Sequence, residues 1–166
     1  MKTVLIATNN AHKAEEIASA LAFEDWEFRT LRELGIRSDP AEDADSFEGN
    51  ARIKALAAHE ASGGMAALAD DSGLQVDALG GAPGVHSARY TGNHADSDAD
   101  RYNLLLRNLG GRDDRAARFV CSLCCAFPNG DVLTAEGTCE GTILSVPRGE
   151  NGFGYDPVFR PDGFDR

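Results

Sequence analysis

Lysine is nearly missing from this chain. Only Lys2, Lys13 and Lys54 occur in 166 residues, and 16 basic residues stand against 27 acidic ones, for a net charge of −11. A balance this acidic excludes the gripping of a nucleic-acid polymer by bulk charge. A phosphate-bearing ligand would have to be held locally, by backbone amides, a few placed cations or a metal ion that offsets the carboxylates. Long apolar runs are missing too. Stretches such as Val4–Ala7 fall far short of the ~20 residues that span a bilayer, and Met1-Lys2 leads into a strand-like run with no signal-peptide pattern. A cytoplasmic protein that makes no use of a membrane is the expectation. The four cysteines (Cys121, Cys124, Cys125 and Cys139) crowd one third of the chain, a poor disulfide framework that fits a reducing compartment. On a strand, Cys121 and Cys125 face one side and Cys124 the other, so Cys-x2-Cys does not converge on a tetrahedral zinc ion; small core residues are the better reading. There is no Walker A loop and no Gly-x-Ser-x-Gly elbow, and His12, His59, His86 and His94 are too scattered to assert a site.

What is present is a mixed pattern within a length suited to one domain spanning residues 1–166. Thr3–Thr8 is a β-branched apolar run that reads as a buried strand, and Ala14, Ile17, Ala18 and Leu21 then recur at helical spacing. Trp26–Leu31 is a second strand candidate, and Gly35–Ser46 an acidic loop. Asp45 or Ser46 can cap a second helix, with Phe47, Asn50, Ala51 and Lys54 on one face and Ile53, Leu56 and Ala57 on another. Two short strands, Ala66–Ala69 and Gly73–Val76, are expected around Asp70-Asp71-Ser72. Tyr102, Leu105, Leu106 and Leu109 mark a third helix that Gly110-Gly111 ends, and Arg118–Phe127 and Val132–Cys139 flank an Asn129-Gly130 hairpin turn. Mixed α/β architecture follows.

Three constellations could carry chemistry. Thr8-Asn9-Asn10-Ala11-His12-Lys13 lies between a strand and a helix N-terminus, where amide groups and the helix dipole suit a phosphate or a ribose; an ordinary Asn-rich turn with a solvated Lys13 accounts for it equally well. Asp70-Asp71-Ser72-Gly73, taken with Glu42-Asp43 and Lys54, offers carboxylates to a magnesium ion. Adjacent carboxylates on a strand point to opposite faces, so one of the pair would meet the metal and the other would support from behind; a turn rich in capping residues is the simpler alternative. Gly152-Phe-Gly-Tyr-Asp-Pro157 bends tightly around two aromatics, either of which could stack on a base, while Asp156 could accept from ring N–H groups; an aromatic-anchored loop is the alternative.

Thr8-x-Asn10-x2-Lys13, Phe47-Glu-Gly-Asn-Ala-Arg-Ile-Lys-Ala55, Ala69-Asp-Asp-Ser-Gly-Leu74, Leu79-Gly-Gly-Ala-Pro-Gly-Val-His-Ser-Ala-Arg-Tyr90 and Gly152-Phe-Gly-Tyr-Asp-Pro-Val-Phe159 occur in this order. Together they resemble the inosine/xanthosine triphosphate pyrophosphatase family, house-cleaning enzymes that hydrolyse non-standard purine nucleoside triphosphates to the monophosphate and pyrophosphate. The resemblance implies an elongated α/β fold with a mixed sheet and flanking helices, a nucleotide cleft between two lobes, a homodimer and a magnesium requirement. It implies that Thr8, Asn9, Asn10, Ala11, His12 and Lys13 hold the triphosphate, with Lys13 as the cation on it. Glu42 and Asp71 would be magnesium ligands, Asp71 would also activate the attacking water, and Lys54 would act beside the phosphates. Ser72 would contact substrate, Arg89 would be a further phosphate contact, and Phe153, Gly154, Tyr155 and Asp156 would form the purine pocket.

Two departures qualify the match. The family's Phe-x-Glu-Asn-Ala appears as Phe47-Glu48-Gly49-Asn50-Ala51, with glycine in place of a glutamate that Glu48 could partly replace. The family pattern also continues past the Gly163-Phe-Asp segment into a lysine and a Ser-His-Arg motif, whereas this sequence stops at Arg166. The expectation is a family domain lacking its C-terminal segment. The alternatives to a purine triphosphate pyrophosphatase are then a nucleotide-binding domain with little or no turnover, a pyrophosphatase for other modified nucleotides, and an α/β interaction protein.

Overall fold

The computed structural model describes residues 2–93, 95–149 and 152–164. In chain order the elements are β1 (Lys2–Ile6), α1 (Ala11–Ala20), β2 (Trp26–Thr30), α2 (Phe47–Ala61), β3 (Ala66–Val76), α3 (Asp98–Leu109), β4 (Ala116–Ala126), β5 (Val132–Ile143) and β6 (Phe159–Pro161), with 3-10 turns at Asp77–Leu79, Gly84–Arg89 and Asp156–Val158. Six strands form one mixed sheet in the order β2-β1-β3-β4-β5-β6. β1 runs parallel to β2, with Val4 opposite Phe28, and parallel to β3, with Val4 opposite Ala66; β5 and β6 are antiparallel. The expected α/β class is the observed one.

Two compact units share the chain. The first takes in the residues up to Asp71 together with Ser122–Glu136; the second takes in Ser72–Cys121 and the chain from Gly137 onward. In the first unit the strand alternation sorts side chains onto two helices. Val4, Ile6, Ala66 and Leu68 pack with Ala14 and Ile17 of α1. Leu5, Ala7, Ala67 and Ala69 pack with Ala51, Ala55 and Ala58 of α2. The alanines let α2 lie close to the sheet, and Leu56, expected in an apolar face, is 39% exposed instead. Lys2, the third lysine, lies 5.2 Å from the Trp26 ring centroid. Its charge supports a strand end by a cation–π contact.

The second unit closes around Leu74, Val76, Leu105, Leu109, Ile143, Tyr155, Val158 and Phe159. Ser97 and Asp100 form a complete capping box at the start of α3, and Gly110 follows its end. The Arg115 guanidinium donates to the carbonyls of Gly110, Ile143 and Leu144, at 2.8–3.0 Å, and so ties the chain after α3 to the end of β5. Cys124 is buried with the α2-side core while Cys125 packs with the α1-side core, so the two face opposite ways as the strand period requires. None of the four cysteines is joined in a disulfide, and burial pushes the Cys125 thiol up to about 11. Cys124 and Cys125 are the core residues expected, whereas Cys139 is exposed.

One element differs from its sequence expectation. The two short strands predicted around Asp70-Asp71-Ser72 are a single strand, β3, eleven residues long. Asp, Ser and Gly favour turns when considered alone, but β3 pairs with β1 over Ala66–Leu68 and has β4 as its other neighbour in the sheet, and that tertiary context overrides the local preference.

Candidate active site

The sorting of β3 side chains continues past the apolar core. Ala66 and Leu68 face α1, and Asp70, two residues on, carries the same parity; Ala67 and Ala69 face α2, and Asp71 follows them. Each carboxylate meets a lysine from the helix on its own side. Lys13 Nζ of α1 lies 3.6 Å from Asp70 Oδ2, and Lys54 Nζ of α2 lies 3.5 Å from Asp71 Oδ1. Lys54 also reaches Glu42 at 3.0 Å. Two of three lysines in the chain are thus spent on the two faces of one strand.

Burial sharpens this charge arrangement. The Asp70 side chain is 6% exposed and that of Asp71 14%. Desolvation is the largest influence on Asp71 and pushes its carboxyl above the usual range; Glu42 adds to the push, while the Lys54 ammonium and the Asn50 amide pull the other way. For Lys54, desolvation works against the charge, but Asp71, Glu42 and Asp70 together outweigh it and hold the ammonium above its ordinary value. One Asp71 oxygen, Oδ2, is buried with no hydrogen-bond partner among the described residues. Such an atom is costly unless something arrives to satisfy it.

The loop before α1 is built around capping. Asn10 is the N-cap: its Oδ1 accepts from Lys13 N at 3.3 Å, while Thr8 Oγ1 accepts from Asn10 N at 3.1 Å. Asn9 Nδ2 donates to the Ser38 carbonyl at 3.0 Å. Thr8, Asn9 and Asn10 therefore shape the loop, and Ala11, His12 and Lys13 form the first turn of the helix behind it, where the positive end of the dipole lies. Ser46 caps α2 by accepting from Gly49 N at 3.0 Å. Asn50, 1% exposed, brackets Ala44: its Oδ1 accepts from Ala44 N at 3.0 Å and its Nδ2 donates to Ala44 O at 3.5 Å.

In the second unit the Gly152–Pro157 segment is held by its own polar groups. Phe153 N donates to Asp156 Oδ2 at 3.1 Å, and Gly154 N donates to Asp98 Oδ2 at 2.9 Å. Tyr155 is 5% exposed, and its hydroxyl donates to Ser87 O at 2.7 Å; burial pushes its phenol well above the ordinary value. Tyr155 is an anchor within the core, and Phe153, half-buried, is the aromatic still partly open to a planar ligand. Arg89 ends the 3-10 turn that carries Ser87, and Ser72 follows Asp71 directly on β3. Asp98 had no signal in the sequence and Ser87 appeared only within the Leu79–Tyr90 stretch; their partners lie 56 and 68 residues away, so neither bond was legible.

Among the described residues no three His, Cys, Asp or Glu side chains converge on one point. Two carboxylates near one another, one with an orphaned oxygen, would suit a divalent cation that completes its shell with other oxygen ligands. Among the described residues no helix is long and apolar enough to cross a membrane.

A model of the Ham1 family matches residues 4–166. A dITP/XTP pyrophosphatase of Syntrophobacter fumaroxidans is 53% identical over 156 residues, which cover 94% of this chain and 66% of that protein. One of Deinococcus deserti is 49% identical, with 98% of this chain and 75% of that protein covered. Among solved structures, the nucleoside-triphosphatase / dITP/XTP pyrophosphatase of Mycobacterium abscessus superposes with a TM-score of 0.82 at 40% identity, covering 99% of this chain and 86% of that one. A HAM1 protein of Coxiella burnetii gives a TM-score of 0.85 at 38% identity, covering 96% and 81%.

Proposed function

Since the chain belongs to the Ham1 family, we propose that it hydrolyses non-standard purine nucleoside triphosphates, those of inosine, deoxyinosine and xanthosine, to the monophosphate and pyrophosphate. The observation that carries this reading is the sorting of Asp70 and Asp71 onto two lysines from two helices, with one Asp71 oxygen left buried and unsatisfied. The names of the relatives, dITP/XTP pyrophosphatase, support the substrate class.

In this reading the first turn of α1 and the Lys13 ammonium bind the phosphates, the amides and the dipole end supplying the positive field that the acidic surface does not. Asp70 holds Lys13 from behind. Glu42 and Asp71 would hold magnesium, which when bound neutralises phosphate charge and acidifies water. The Asp71 carboxylate takes the proton of the attacking water. Lys54 offsets charge beside it as pyrophosphate leaves. Phosphoryl chemistry of this kind is mostly positioning and electrostatics, which such a cluster provides. Phe153 stacks on the purine, Asp156 and Asp98 fix the loop that carries it, and a donor aimed at the 6-keto oxygen disfavours adenine, which would present donor to donor. Ser72 and Arg89 add substrate contacts. A homodimer working in the cytoplasm belongs to the same reading.

The test is pyrophosphate release from inosine triphosphate with magnesium. Asp71→Asn is expected to lower kcat on the order of 10³-fold, as loss of a general base does. Unchanged activity would overturn the role of Asp71, and equal turnover of inosine and thymidine triphosphates by the parent would overturn the purine reading.

A further inference from the structure

We propose that Gly49 is a positioning residue: its missing side chain lets the loop through Ala44 seat on the first turn of α2 and so presents Glu42 to Lys54 and Asp71. The inference deepens the reading of the Glu42–Lys54–Asp71 cluster given above and rests on it. Gly49 is the third residue of α2, the place where a capping box returns an acidic side chain to the N-cap, as Asp100 does in α3. Glycine forfeits that return and, apart from proline, is the poorest helix former. Local preference thus argues against glycine here, and φ gives no reason for it, because Gly49 is not among the residues with positive φ.

Space gives the reason. A Cβ built on Gly49 would lie 2.7 Å from Ala44 Cβ and 3.0 Å from Ser46 Oγ. The first is a methyl fixed to the backbone, so the loop itself would have to move. That loop is clamped by the two Asn50–Ala44 hydrogen bonds, and Glu42, two residues upstream, reaches Lys54 at 3.0 Å. A helix-restoring side chain at 49 would push Ala44 off Asn50 and carry Glu42 away from the ammonium.

The experiment compares the parent, Gly49→Ala, Ala44→Gly and the double variant. Metal-free, the Ala44 amide, which donates to Asn50, should exchange its hydrogen about tenfold faster in Gly49→Ala and return to the parental rate in the double variant, whose glycine at 44 removes the opposing methyl. The Mn²⁺ dissociation constant, measured by calorimetry without nucleotide, should rise by about tenfold in Gly49→Ala, as for a lost support of a ligand, and recover in the double variant. The melting midpoint of Gly49→Ala should fall, because pushing Ala44 aside leaves the buried Asn50 amide unpaired, and should rise again in the double variant. Unchanged Ala44 exchange in Gly49→Ala, or no recovery in the double variant, overturns the proposal. A parent that binds no Mn²⁺ counts against Glu42 and Asp71 as metal ligands, and the exchange rates then still decide the seating of the loop.

Discussion

The unit built on α1 and α2 and the unit built on α3 use their polar groups in opposite ways. In the first, charged side chains are gathered and half-desolvated, and they are left incompletely satisfied: Lys54 is shared between Glu42 and Asp71, and Asp71 keeps a buried oxygen without a partner. In the second, polar groups are consumed in fixing a shape. Asp98 takes the Gly154 amide, Asp156 takes the Phe153 amide and Tyr155 spends its hydroxyl on Ser87. One region stores electrostatic imbalance and the other stores geometry. In the proposed reading, reaction chemistry would draw on the first kind of arrangement and recognition of a planar base on the second.

The contrast is broken most severely at Lys54. Lys54→Met leaves Glu42 and Asp71 without their shared cation, and kcat should fall roughly 10²-fold or more, the scale for removing one placed electrostatic group. It also removes the influence that holds the Asp71 carboxyl down, so burial and Glu42 drive it further up. The sign for stability follows. A carboxyl whose folded pKa exceeds its unfolded value is destabilised by ionisation, so stability falls as pH climbs from the ordinary carboxylate range through the raised value. Relative to the parent, urea unfolding of metal-free Lys54→Met should therefore show that decline extended to higher pH.

A smaller effect is expected in the second unit. Phe153→Ala should raise KM for inosine triphosphate by about tenfold, within the ~1–3 kcal/mol that one base–aromatic stack is worth, with kcat nearly unchanged. A fall in kcat with KM intact would mean that the aromatic loop serves the reaction and not recognition. Smallest of all on turnover is Tyr155→Phe. Loss of the bond to Ser87 should cost about 1–2 kcal/mol in unfolding experiments, while KM and kcat stay at parental values; a raised KM would show that the phenol meets substrate.

Much of this was legible from periodicity. Strand alternation alone separates Asp70 from Asp71, and the structure gives each its own lysine. Helical spacing likewise set Asn50 beside Lys54 on a face that was not plain core, although what Asn50 holds, the Ala44 backbone, depends on a loop fold that no short-range pattern announces. The continuity of β3 was not legible, because Asp-Asp-Ser-Gly is locally a turn and only the neighbouring strands make it extended. The face of α2 carrying Leu56 was misjudged since alanines supply the contact with the sheet, and small residues leave a weak periodic signal. The roles of Asp98, Ser87 and the Ala44–Gly49 approach depend on distance in space and on steric room, neither of which residue identity encodes.

The scarcity of lysine has a practical side. Of the three ε-amines, one rests near the Trp26 ring and the other two sit against the β3 carboxylates. For most proteins an amine-directed reagent, a surface-coupling chemistry or an acylating metabolite scatters over many dispensable sites. Within these 166 residues, acylation of lysine beyond Lys2 falls on Lys13 or Lys54, so amine labelling past that first side chain reports on the candidate active site.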